Sequence, residues 1–170
     1  MLREVKRMLN DEKVGHMYQQ IARTVIDMIP EEWDKVYLYG EVEEERQASF
    51  FFYYPVASKE PVYSLDIPEL YEVDEEKFDQ LKDQLYEHIE TLWNEYKQSG
   101  EELWSTLNMI MERDKFKIEF GYEDLSAPET DYYERSLAWE YNYLGLVPKD
   151  SYAKKVLDEY LKKKESEQER

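Results

Sequence analysis

The sequence predicts an α+β fold, a mostly antiparallel sheet packed against helices in a single domain. Three observations carry that expectation. The chain has 170 residues and is 42% hydrophobic, enough for one ordinary domain with a real core. Its apolar spacing switches between helical and strand periods in the order helix, strands, helix, strands, helices. No repeat, linker or Gly/Pro-rich boundary interrupts that order.

The first helix follows from Val14, Met17, Tyr18, Ile21, Val25, Met28 and Ile29, which recur at helical spacing until Pro30 stops the run. Leu2, Val5 and Leu9 keep a similar spacing, and Gly15 weakens the join between the two segments. In "KVYLYGEVEEERQASFFFYYP" two strands are expected. Val36, Leu38 and Val42 alternate with Tyr37, Tyr39 and Glu41, and an aromatic run follows. The link over Glu43–Gln47 suits a hairpin but lacks the Asn-Gly signal of a tight turn. "PVYSLDIP" reads as a third strand between Pro61 and Pro68.

The next helix is the clearest element. Asp74 caps it, Glu75 and Glu76 suit its positive first turn, and Gly100 is placed to end it. Phe78, Leu81, Leu85, His88, Ile89, Leu92 and Tyr96 form its apolar stripe. "LWSTLNMIME" and "KFKIEF" then read as a hairpin over Arg113–Asp114. "YYERSLAWEYNYLG" fits both periods; a helix is preferred, started by Thr130 and ended by Gly145. From Asp150 an amphipathic helix on Ala153, Val156, Leu157, Tyr160 and Leu161 gives way to a disordered tail, "KKKESEQER". The expected organisation is an α+β domain over 1–148, with 1–13 as an N-terminal extension. Residues 149–170 form the C-terminal helix and charged tail.

"FFFYYP" at 50–55 raises the question of exposure. Five adjacent aromatics in a bare strand invite aggregation, whereas each Phe hidden stabilises by roughly 1.5–3 kcal/mol. Core positions are therefore expected for Phe50 to Phe52, with Tyr53 and Tyr54 nearer the rim. Pro55 ends the pairing. Trp33, Trp93, Trp104 and Trp139 read as core or core-edge residues by size.

Forty acids against 22 bases leave a formal charge of −18, and the body from 14 to 148 carries −20. Such a field repels nucleic acid and anionic membrane and attracts basic proteins. There are no cysteines, which excludes disulfides, thiolate chemistry and Cys-based zinc sites. The first ten residues lack the apolar stretch of a signal peptide, and the longest apolar run, 50–57, is far short of a membrane span. A cytoplasmic protein is expected.

Catalysis needs converging groups, and few are present. His88 sits on an apolar helix stripe, where a core role outweighs a catalytic one, and His16 has no visible partner. Phosphate-cradling glycine loops and nucleophile motifs are absent. The acidic runs "EVEEE" and "GYEDL" match metal sites only loosely, since 40 acids make close pairs by chance. No enzyme, no cofactor and no bound metal are expected.

At this point the residues become recognisable. "YQQIARTVIDMIPEEWDKVYLYGEV", "FFFYY", "YSLDIPELYEVDEEKF", "LWSTLNMIMERDKFKIEFGYEDL" and "YYERSLAWEYNYLG" occur in the order of the YezG-like immunity protein family of Gram-positive bacteria. The chain resembles that family over roughly 17–147, most specifically in "MIPEEW" with "FKIEFGYEDL". It departs from the family pattern in residues 1–13, in the tail after Pro148 and in the glycine-free turn at Arg113–Asp114–Lys115.

The resemblance implies a cytoplasmic antitoxin. Such proteins neutralise, by stoichiometric binding, the C-terminal domain of an LXG-type toxin exported by a type VII secretion system. That toxin domain is often a nuclease, and a nuclease is basic where it holds phosphate. Acids are then expected to steer the encounter, and aromatics to anchor it. The candidate interface is Tyr37, Tyr39, Glu41, Glu43, Glu44 and Glu45, with Glu123 and Asp124 contributing. Tyr37 and Tyr39 fit burial beneath a helix equally well. The competing reading is an acidic, non-enzymatic adaptor or regulatory homodimer, self-associating through a sheet edge or the C-terminal helix.

Overall fold

The structure is a computed structural model that describes residues 2–128 and 130–169, with side chains from residue 12 onward. The chain gathers into two compact units, residues 1–123 and 124–170. The first contains α1 (Leu2–Met28), β1 (Trp33–Glu43), β2 (Arg46–Pro55), β3 (Val62–Tyr63), a short α2 (Ile67–Leu70), α3 (Glu75–Ser99), β4 (Thr106–Glu112) and β5 (Phe116–Gly121). The second contains α4 (Tyr132–Leu144) and α5 (Ser151–Gln168). The α+β class, with an antiparallel sheet packed against helices, is borne out.

In the first unit the strands run in the order β3-β2-β1-β4-β5, every neighbour antiparallel. Leu38 lies opposite Phe51 on one side and Met109 on the other. The period of two therefore lines up Val36, Leu38, Phe51, Tyr53, Leu107 and Met109 on a single face. That face packs with Ile21 and Val25 of α1 and Ile89 and Leu92 of α3 into one continuous core. A hydrogen bond between the Tyr18 and Tyr96 hydroxyls (2.7 Å) and an ion pair of Lys13 with Glu95 (3.0 Å) tie α1 to α3. Trp104 is fully buried, and its carbonyl accepts the Trp93 indole N–H at 2.9 Å.

The opposite face carries Tyr37, Tyr39, Phe50, Phe52, Tyr54 and Tyr63. Phe50 stands edge-on to Phe52 (5.9 Å between centroids) and to Tyr63 (5.8 Å). Phe50, Phe51 and Phe52 are all buried, as expected. Tyr53 is not at the rim: it is completely buried on the helix-covered face, and its hydroxyl donates to Glu31 at 2.7 Å. Burial, helped by hydrogen bonds with Tyr71 and Glu31, pushes its phenol pKa up. Position in the alternation, not nearness to Pro55, decides its environment.

Other boundaries depart from expectation for local reasons. Helix α1 runs unbroken through Gly15, since one glycine costs only about 1 kcal/mol of propensity. The spacing of Leu2, Val5 and Leu9 concerns side chains outside the described ones. The third strand shrinks to Val62–Tyr63, because Pro68 is preset for the first turn of a helix and α2 begins there. Asp74 caps α3 through the amides of Glu76 and Lys77, and Gly100 ends it at φ 76°, as read. Asp131, not Thr130, caps α4, accepting the Glu134 amide at 2.8 Å. Thr130 instead accepts the Arg135 guanidinium on its carbonyl at 3.1 Å. Helix α5 is capped by Asp150 and continues to Gln168, so the basic-acidic tail is helical for most of its length.

Candidate partner-binding end of the sheet

Strands β1 and β2 meet at a turn of only two residues, Glu44 and Glu45, with Glu43 opposite Arg46. The turn is tighter than the sequence suggests, and Glu45 adopts φ 62°, a left-handed conformation usually left to Gly or Asn. Three acids are thus carried on a rigid hairpin end. Lys97, from the last turn of α3, donates to Glu44 and lies 5.3 Å from the Trp93 ring centroid. Gln47 donates to the Tyr86 carbonyl at 3.1 Å, fastening β2 to α3. Between this turn and α3 opens a cleft of about 390 Å³ that also takes in Glu90 and Asn94.

The strand ladder brings a further acid to the same end. Val42 donates to the Ser105 carbonyl (2.9 Å), and Ser105 donates its amide to Gly121 (2.8 Å) and its hydroxyl to the Glu123 carbonyl (2.6 Å). Exposed Glu123 therefore follows β5 at the end where β1 finishes in Glu43. Asp124, next in sequence, opens the second unit. Its carboxylate accepts the Ser126 hydroxyl (2.6 Å) and amide (3.0 Å), which hold its pKa below the usual carboxylate range.

The candidate residues fall into distinct environments. Glu44, Glu45, Glu123 and Asp124 are exposed and Glu43 is half-buried. Tyr37 is half-buried, edge-on to Tyr54 at 6.2 Å, with the Lys35 ammonium 5.1 Å from its ring. Tyr39 and Glu41 are buried, and the Tyr39 hydroxyl donates to the Glu41 carboxylate at 2.6 Å. That buried, charge-assisted bond braces the strand that presents the turn. Sequence reasoning missed Lys97 as a partner of the turn. The available signal was its position four residues after Trp93, on the same face of α3.

What this end can do chemically is attract positively charged groups. Among the described residues no three His, Asp or Glu side chains are grouped to hold a metal ion. His88 is half-buried on α3 and His16 is exposed on α1. No helix among the described residues is long and apolar enough to cross a membrane.

Comparison with known proteins is consistent in direction. The family described as immunity protein YezG-like matches residues 14–158. The immunity protein YezG of Bacillus spizizenii is 35% identical over 158 residues, covering 92% of this chain and 98% of that protein. Its namesake in Bacillus subtilis is 35% identical over 146 residues, covering 85% and 97%. The type VII secretion system protein EsaG of Staphylococcus aureus is 29% identical over 159 residues, covering 91% and 98%.

Proposed function

The chain belongs to the YezG-like immunity protein family, and from that premise we propose that it neutralises the basic C-terminal domain of a cognate LXG-type toxin. The toxin leaves the cell through a type VII secretion system, and its C-terminal domain is a nuclease. The immunity protein stays in the cytoplasm and acts there as a stoichiometric binder, not as an enzyme. The single observation that carries the reading is the family match over most of the chain. The name of the staphylococcal relative supports the secretion route.

The acidic end of the sheet supports the mode of action. Glu43, Glu44, Glu45, Glu123 and Asp124 steer the toxin's phosphate-binding surface into contact. Tyr37 lies mid-strand, six residues before Glu43 and so about 20 Å from the turn, and contributes an aromatic contact only to a partner that reaches along β1, while the buried Tyr39–Glu41 pair keeps β1 in register. Inhibition follows because the surface that holds nucleic acid is covered.

Co-expression tests the proposal. Cells induced to make the cognate LXG toxin domain should die without the chain and grow with it. A pull-down from those cells should retrieve that domain in equal amount. Growth arrest that persists with the chain present, or a pull-down that yields only the chain itself, contradicts the proposal and favours the homodimer reading.

A further inference from the structure

At the other end of the sheet the first unit holds a groove of about 1000 Å³. Its floor is apolar: Ile26 and Ile29 from α1, Trp33 from β1, Met111 from β4 and Phe116 from β5. Ile26 is 40% exposed and Phe116 is 49% exposed, although large apolar side chains exposed together usually mark a contact site. Phe116 belongs by alternation to the helix-covered face. It stands at the open start of β5, 6.2 Å from Tyr18, beyond which the core does not close over it.

One wall is acidic and the other mixed in charge. Glu31 and Glu32 of the link after α1 stand on one side, and on the other the exposed β4–β5 turn carries Arg113 and Lys115 with Asp114 between them. Glu31 is preset, because its carboxylate accepts the Tyr53 hydroxyl at 2.7 Å. Glu112 is compensated by Lys35 at 3.2 Å. An apolar floor beside an acidic wall reads both the shape and the charge of what enters it.

We infer that this groove is a second docking site for the toxin domain. It takes one large apolar side chain flanked by Lys or Arg toward Glu31 and Glu32. The inference rests on the proposed antitoxin function and adds to it the apolar anchor that charge steering lacks, since steering sets association rate more than final affinity. A second copy is the poorer occupant, because two chains of −18 repel one another. The geometry suits one partner. Strand β1 separates the two ends by 11 residues, about 35 Å, close to the width of a ~100-residue domain.

The test uses the full chain and a catalytically inactivated form of the cognate toxin domain. Ile26→Arg and Phe116→Ser alter exposed positions, so a melting temperature near that of the unaltered chain verifies the fold of each. Each variant should raise Kd at least tenfold, mainly through faster dissociation, and the loss should persist at 0.5 M salt (about 4–5 Å screening length). A Kd within twofold of the unaltered chain for both variants overturns the groove as a toxin site while leaving the antitoxin function standing. An unaltered chain that dimerises, with dimers lost in both variants and toxin binding unchanged, overturns it in favour of a second copy. An unaltered chain that does not bind the toxin domain overturns the function and the groove together.

Discussion

Reversing the charge of the β1–β2 turn is the perturbation whose effect follows most directly from the structure. Glu43→Lys, Glu44→Lys and Glu45→Lys each change two units, moving the formal charge from −18 to −12. The fold should tolerate it. The Glu44 and Lys97 side chains are 67% and 46% exposed, and a pair so wet contributes under about 1 kcal/mol. The encounter should not. One unit of charge about 10 Å from a basic group in water is worth about 0.4 kcal/mol, so six units are worth about 2.5 kcal/mol unscreened. A Debye length of about 30 Å at 0.01 M salt leaves about 1.8 kcal/mol of that, roughly a twentyfold slower association. At 0.1 M the length is about 10 Å and the slowing falls to roughly fivefold; at 1 M nothing measurable remains. Stopped-flow association with the toxin domain across these salts reads the effect. Equal rates at 0.01 M, or a slowing that survives 1 M salt, would refute the steering argument.

Further predictions concern the frame and its pH response. Phe51→Ala empties a site that is 1% exposed in the core and should cost about 3–5 kcal/mol in urea denaturation; a cost below about 1 kcal/mol would mean that face is not packed. Glu45→Gly relieves a left-handed non-glycine residue and should stabilise by up to about 1 kcal/mol. Destabilisation instead would show that the turn needs the glutamate side chain. Burial holds the Glu140 carboxyl above its ordinary value of 4.5. The folded state therefore keeps a proton that the unfolded chain has released, and this group's contribution falls as pH rises from 4.5 through the raised value. Glu140→Gln should accordingly raise the melting temperature at pH 7 and leave it nearly unchanged at pH 4. An equal shift at both would assign the effect to packing.

Elements whose signals are local were legible in the sequence. Helix α3 was readable from end to end because Asp74, a seven-residue stripe and Gly100 agree on one answer. The β4–β5 pair was readable because Phe116, Ile118 and Phe120 alternate cleanly. The two-residue turn was not, since Glu44-Glu45 carries no turn residue and the strain at Glu45 is sustained by ten paired positions behind it. Alternation placed Tyr39 and Glu41 on a common face but says nothing of whether that face is wet, so their burial came only with the structure. The acids of the turn were visible as a charge run. Their union with Glu123 at one end of the sheet depends on the pairing of Val42 with Ser105, 63 positions on, and of Ser105 with Gly121. The groove was invisible for the same reason: Phe116 follows Ile26 by 90 positions and Trp33 by 83, and nothing local marks Phe116 as lying beyond the end of the core.

Stoichiometric neutralisation is put to the test by titrating the proposed nuclease activity of the purified cognate toxin domain with the full chain. A linear fall to zero at one equivalent is expected, complete on mixing, with a 1:1 complex by light scattering. Full nuclease activity beside excess chain would contradict it. So would inactivation at well below one equivalent, which would make the chain a catalyst and not a binder.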